Sequence, residues 1–125
     1  MKTILIVDDD AASLTLVEQM LEAEQFETRS AATPQQALEV LKTWTPSAIL
    51  LDIQLHGLDN GLEFARRLKA NVATRVIPVV AFTAYSDKWT ESEARAAGCD
   101  GYLVKPITAK VLAETIRKTV EARAS

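Results

Sequence analysis

The sequence predicts an α/β domain in which a parallel sheet is covered by helices on both faces, built from five strand–helix repeats. Three observations predict it. Short runs that are apolar at every position (residues 4–7, 48–51 and 79–82) fit strands buried on both faces. Segments with apolar residues at helical spacing separate these runs. Hydrophilic residues abut the carboxyl ends of the runs, the edge where open α/β sheets bind ligands.

The elements follow in order along the chain. Residues 1–7 form the first strand, which runs into Asp8, Asp9 and Asp10. Leu14, Val17, Met20 and Leu21 recur at helical spacing and predict a helix to about Gln25. Residues 26–31 make a weaker second strand. Thr33-Pro34-Gln35-Gln36 starts the next helix, with Thr33 as N-cap, Pro34 at the first helical position and Gln36 closing a capping box. Ala37, Leu38 and Leu41 carry it to about Trp44, and Pro46 ends it. Residues 48–51 are a second fully apolar strand, which runs into Asp52. The loop HGLDNG leads to a helix with Leu62, Phe64, Ala65 and Leu68 on its inner side. Residues 79–82 form the next buried strand, with Thr83 at its end. Thr90-Glu91-Ser92-Glu93 reads as a capping box opening a short fourth helix, which Gly98 terminates. Residues 102–104 form the last strand and stop at Lys105-Pro106. Thr108 caps a final helix carrying Val111, Leu112, Ile116 and Val120, which ends near Arg123.

Composition narrows the function classes. A chain of 125 residues, 48% hydrophobic and 25% charged, fits one domain over residues 1–125, with no linker or repeat and no output domain expected. A net charge of −3 leaves no basic footprint, which argues against direct nucleic-acid binding. No apolar run approaches 18 residues and no signal peptide is visible, which argues against a membrane role. The single Cys99 excludes an internal disulfide and suits a reducing cytoplasm, the expected location. Cys99 reads as a small core residue, because the one histidine, His56, lies in a different loop.

The hydrophilic residues at the strand ends are Asp8, Asp9, Asp52, Thr83 and Lys105. One Asp suffices for helix capping, and three adjacent acids leave two without that explanation. Carboxylates with no neighbouring His or Cys make a hard oxygen site suited to Mg²⁺ or Mn²⁺. Lys105 supplies a compact charge for a phosphoryl group, the Thr83 hydroxyl can donate to a phosphoryl oxygen, and a carboxylate can form an aspartyl-phosphate. Asp52 stands alone opposite the acidic pair and is the best nucleophile.

The set VDDD (7–10), ILLDIQL (49–55), FTA (82–84) and GCDGYLVKP (98–106) resembles the response-regulator receiver domain, the CheY-like family of two-component signalling, across essentially the whole chain. The resemblance implies a flavodoxin-like (βα)5 three-layer sandwich with strand order 2-1-3-4-5. It implies Asp52 as phospho-acceptor, with Asp9 and Asp52 as side-chain ligands of Mg²⁺, Gln54 as a backbone-carbonyl ligand and Asp8 acting through water. Thr83 and Tyr102 would be the switch pair, and Lys105, directed by a cis bond to Pro106, would contact the phosphoryl group. The implied donor is a histidine kinase or histidine phosphotransfer protein. A downstream protein would read the fourth helix, fifth strand and fifth helix, near Trp89 and Tyr102. Self-phosphorylation and dephosphorylation at Asp52 would be the only enzymatic activity. The sequence departs from the family in one loop: His56 replaces the usual Pro, and one extra residue (Asp59 or Asn60) precedes Gly61. A surface histidine and a tolerated insertion explain this better than metal binding by His56.

Competing readings fit less well. An aspartyl-phosphate phosphatase of the haloacid-dehalogenase type wants a second Asp at position 54, where Gln stands. An FMN carrier wants a hydroxyl-rich phosphate loop, where three acids would repel the phosphate. A receiver fold that signals without phosphorylation would not need the complete acceptor set, and a receiver excised from a larger hybrid kinase or regulator would carry the same sequence.

Overall fold

The computed structural model describes residues 2–53, 61–83 and 88–124. Five strands and five helices alternate: β1 (Thr3–Val7), α1 (Ala11–Ala23), β2 (Glu27–Ala31), α2 (Pro34–Thr43), β3 (Ala48–Asp52), α3 (Gly61–Ala70), β4 (Val79–Thr83), α4 (Lys88–Ala96), β5 (Gly101–Val104) and α5 (Ala109–Ala124). All four strand pairings are parallel, in the order β2-β1-β3-β4-β5. The chain steps outward from β1 to β2, then returns past β1 to β3. The carboxyl ends of β1 and β3 therefore flank the switch point, where the crevice of such a sheet opens.

Side-chain alternation sorts the core into two layers. Ile4, Ile6, Ala48, Leu50, Val80, Phe82 and Leu103 face one side and pack with Val17, Leu21, Leu112 and Ile116 from α1 and α5. Leu5, Val7, Ile49, Leu51, Val79 and Ala81 face the other and pack with Ala37, Phe64, Leu68 and Ala94 from α2, α3 and α4. The three central strands are apolar on both faces because both faces are covered. The strand β2, with the polar sequence ETRSA, sits at the sheet edge.

Several boundaries differ from the sequence reading, each for a local reason. Helix α1 stops at Ala23 because Gln25 adopts φ 71°, and the Gln25 and Phe26 amides donate to the Glu22 and Leu21 carbonyls. This is a Schellman closure with a non-glycine residue in the left-handed position, and Leu21 and Phe26 pack in the same core layer. Gly98 (φ 103°) closes α4 the same way, with Gly98 N on Arg95 O and Cys99 N on Ala94 O. At α2, Thr33 Oγ1 accepts from Gln36 N, but Gln36 Oε1 accepts from Ala32 N, one residue before the donor of a capping box. Helix α4 begins at Lys88, so the Thr90–Glu93 segment lies within its first turns and does not open it. Glu91 instead pairs with Arg95 one turn on, at 3.2 Å. Thr108 caps α5 as read, accepting from Val111 N.

Candidate functional site

The three opening acids divide their duties. Asp10 is the N-cap of α1: its side chain accepts from Ala12 N and its carbonyl accepts from Leu14 N. Asp8 is anchored by its own amide donating to Ala31 O, and its Oδ1 accepts from Asp10 N at 2.9 Å. Its Oδ2 is buried and accepts no hydrogen bond. Asp9 is half-buried at the head of α1.

Asp52 ends β3 and is buried. The β3–β4 ladder continues beyond it through Ile53 N donating to Phe82 O. Gly61 opens α3 directly against this strand end. A Cβ there would overlap the Ile53 Cα and the Asp52 carbonyl oxygen, so only glycine lets α3 start this close. Thr83 ends β4, fully buried, and its carbonyl accepts from Lys105 N at 2.7 Å. The Lys105–Pro106 peptide is cis, as the resemblance implies.

Lys105 brings the set together. Its Nζ lies 3.5 Å from Asp52 Oδ2 and 3.6 Å from Asp8 Oδ2, and donates to Ser13 Oγ over a long 3.4 Å. Carboxylate oxygens of Asp8, Asp9 and Asp52 all lie within 4.8 Å of one another. Strand alternation explains the convergence of Asp8, Asp52 and Lys105. Counting on from Ile6, Leu50 and Leu103, the positions 8, 52 and 105 fall on the α1/α5 side of the sheet, whereas Thr83, in phase with Ala81, falls with Tyr102 on the α2–α4 side. Tyr102 is half-buried against that second layer.

The donor set fits a small divalent cation. Three hard oxygen ligands and a buried carboxylate oxygen that accepts no hydrogen bond suit Mg²⁺, whose charge would offset the repulsion among the clustered carboxylates. Gln54 and the 54–60 loop with His56 lie outside the described residues, as does the Trp89 side chain.

A family model for the response regulator receiver domain matches residues 4–117. The chain belongs to that family. This receiver domain is 36% identical over 116 residues to the polar-differentiation response regulator DivK of Brucella ovis, covering 93% of this chain and 94% of that protein. A CheY-like response regulator receiver domain protein from Methanospirillum hungatei matches with a TM-score of 0.87 at 29% identity, over 99% of this chain and 97% of the other. The receiver domain of a sensor histidine kinase from Pseudomonas aeruginosa, solved with a magnesium ion coordinated in its active-site cleft, matches with a TM-score of 0.86 at 27% identity, over 96% and 98%. The place of this receiver in two-component signalling follows, and the phosphatase and FMN-carrier readings fall away. Among the described residues, no helix is long and apolar enough to cross a membrane.

Two residues of the receiver site escape a motif reading. Phe82 is the register partner of Asp52 across β3 and β4, and Ser13 lies in the first turn of α1. Position 82 shares its strand phase with Val80, which is the one sequence cue that aims it at the acidic side.

Proposed function

We propose that this receiver takes a phosphoryl group from a histidine kinase or histidine phosphotransfer protein onto Asp52, with Asp8, Asp9 and Asp52 holding Mg²⁺ (or Mn²⁺ in its place). The observation that carries it is the buried Asp8 Oδ2, which accepts no hydrogen bond, within a three-carboxylate cluster beside the Lys105 ammonium. Asp52 is the acceptor because it ends the central strand between the acid pair and Lys105, while Asp8 Oδ1 is already occupied by the Asp10 amide.

The Asp52 carboxylate attacks phosphorus, a P–O bond forms, and the P–N bond to the donor imidazole breaks with its electron pair leaving on nitrogen. A bound divalent cation supplies charge neutralisation for the phosphoryl oxygens. Lys105 adds a fixed positive charge from the β5 side. Chemistry is confined to phosphorylation and dephosphorylation of Asp52 itself. Thr83 and Tyr102 then relay the modification to a downstream protein on the α4–β5–α5 face. A cytoplasmic location suits the donor and the lone buried thiol.

Incubation with Mg²⁺ and acetyl phosphate followed by intact mass tests the reading. The parent should gain one phosphoryl group and Asp52→Asn none. An undiminished gain in Asp52→Asn would move the acceptor elsewhere.

A further inference from the structure

We infer that Phe82 is a positioning residue for Lys105, holding its ammonium between Asp8 and Asp52 and thereby setting the rate of phosphoryl transfer; this rests on Asp52 being the acceptor. The carboxylates alone do not fix the ammonium. At 3.5 and 3.6 Å both lie beyond the 2.7–2.9 Å typical of a charged N–H···O⁻ bond, so Nζ sits between them and is collapsed on neither. The Ser13 contact is also long, at 3.4 Å. The Phe82 ring offers a contact of favourable geometry, with Nζ 4.5 Å from its centroid.

Three features make this contact effective. Phe82 is fully buried and is the register partner of Asp52, so its ring is fixed to the strand that flanks the acceptor. Phe82 and Lys105 share the wall of an apolar groove of about 260 Å³ with Leu16, Met20, Ile107 and Leu112. Apolar walls weaken screening and strengthen the attraction of an ammonium for a ring face. The lysine stem is long and flexible, so a ring that restricts it pre-orders the charge before the phosphoryl group arrives.

The test varies the ring's electrostatics while keeping its shape. Mono-, di- and trifluorinated phenylalanines at position 82 of the full chain progressively weaken the negative ring face at almost constant volume. Phosphorylation by phosphoramidate at saturating Mg²⁺ should slow stepwise along this series, and by about three- to tenfold in Phe82→Leu. Melting temperatures along the fluorinated series should stay together, which a packing role alone would not couple to a falling rate. In the metal-free parent, the Lys105 ε-methylene protons should be shifted upfield of the other lysines by the ring current and return toward them in Phe82→Leu. A rate that is flat across the series, or Lys105 resonances of an ordinary solvated lysine in the parent, would overturn the inference. A parent that takes up no phosphate would instead overturn the acceptor reading and with it the kinetic role, while the ring-current shift would still report whether Phe82 holds Lys105.

Discussion

Lys105, just beyond the end of β5, reaches past β4 to place its Nζ 3.5 Å from Oδ2 of Asp52 on β3. Its amide is fixed to the Thr83 carbonyl, so the lysine backbone cannot follow its side chain away from the site. The Lys105 side chain is 30% exposed, whereas Asp8, which shares the ammonium, is fully buried. Negative charge therefore exceeds positive charge in the least solvated part of the site, and metal-free stability should register that excess.

Asp8→Asn should raise the metal-free melting temperature by about 3–5 °C, corresponding to roughly 1 kcal/mol in a domain of this size. The asparagine Oδ1 can still accept from Asp10 N, and Lys105 keeps Asp52 as its partner. Mg²⁺ should stabilise the parent by mass action and the variant far less. Calorimetry with and without Mg²⁺ reads both. A variant that melts below the parent without metal would show that the Asp8 charge stabilises the fold.

The opposite edge of the sheet is held by a different ion pair. Asp100 Oδ2 accepts from Lys69 Nζ and from Val79 N, both at 2.9 Å, and Asp100 Oδ1 lies 3.4 Å from Arg123 Nη1. Lys69 also donates to the Arg75 and Ile77 carbonyls, so this cluster ties α3, β4, β5 and α5 together. Lys69 and Asp100 are each only 17% exposed. Asp100→Ala should destabilise by about 2–4 kcal/mol, since it removes the charge partner of a mostly buried ammonium and leaves a strand N–H without its acceptor. Asp100→Asn, which retains an acceptor for Val79 N, should lose less. Urea unfolding would measure both, and an Asp100→Asn variant as stable as the parent would mean that the charge contributes nothing.

Cys99 gives the chain a specific pH dependence. Burial, then the neighbouring Asp100 charge, push its thiol up from 9.0 to about 11, with Lys69 and Arg95 opposing. The raised value means that folding protects the thiol form. This contribution is fully present below about pH 9 and is lost as pH rises toward 11, where the unfolded chain holds fewer protons than the folded one. The stability difference between the parent and Cys99→Ala should therefore shrink across that window. At neutral pH the folded protein should resist iodoacetamide until denaturant is added. Rapid alkylation of the native chain would contradict the burial.

The alternation of strands and helices was legible because the central strands are apolar on both faces, and the site because Asp8, Asp52 and Lys105 interrupt that pattern at the same edge. The end of α1 was not, because Gln25 occupies a left-handed position that sequence ordinarily marks with glycine. The start of α4 was misplaced because a Thr-x-x-Glu spacing fits a helix interior as well as its cap. Phe82 was hidden for another reason. Within an apolar run a phenylalanine looks like any core residue, and its contact with Lys105 depends on β4–β5 register, which no local pattern encodes.

The switch should act through the face that the acids do not occupy. Thr83 and Tyr102 lie on the α2–α4 side, and Thr83 is the register partner of Val104 at the adjoining strand end. A phosphoryl group on Asp52 adds charge and strong acceptor oxygens beside the end of β4. For the Thr83 hydroxyl to donate to one of those oxygens it must shift toward the acidic side, which vacates space beside β5. Tyr102, half-buried against the α2–α4 core layer and the register partner of Ala81, is placed to turn inward and fill it. Two packings of one side chain then alter the α4–β5–α5 surface, and a partner strengthens its hold only by its differential affinity for them. Amide NMR with beryllofluoride, a phosphoryl mimic, should shift residues 91–97 and 101–104 as well as 8–10 and 52–53. In Thr83→Ala the mimic should still perturb the metal-site amides while the shifts at 101–104 are largely lost. Perturbations confined to the metal site in the parent, or an undiminished response of 101–104 in Thr83→Ala, would rule out Thr83 as the relay to Tyr102.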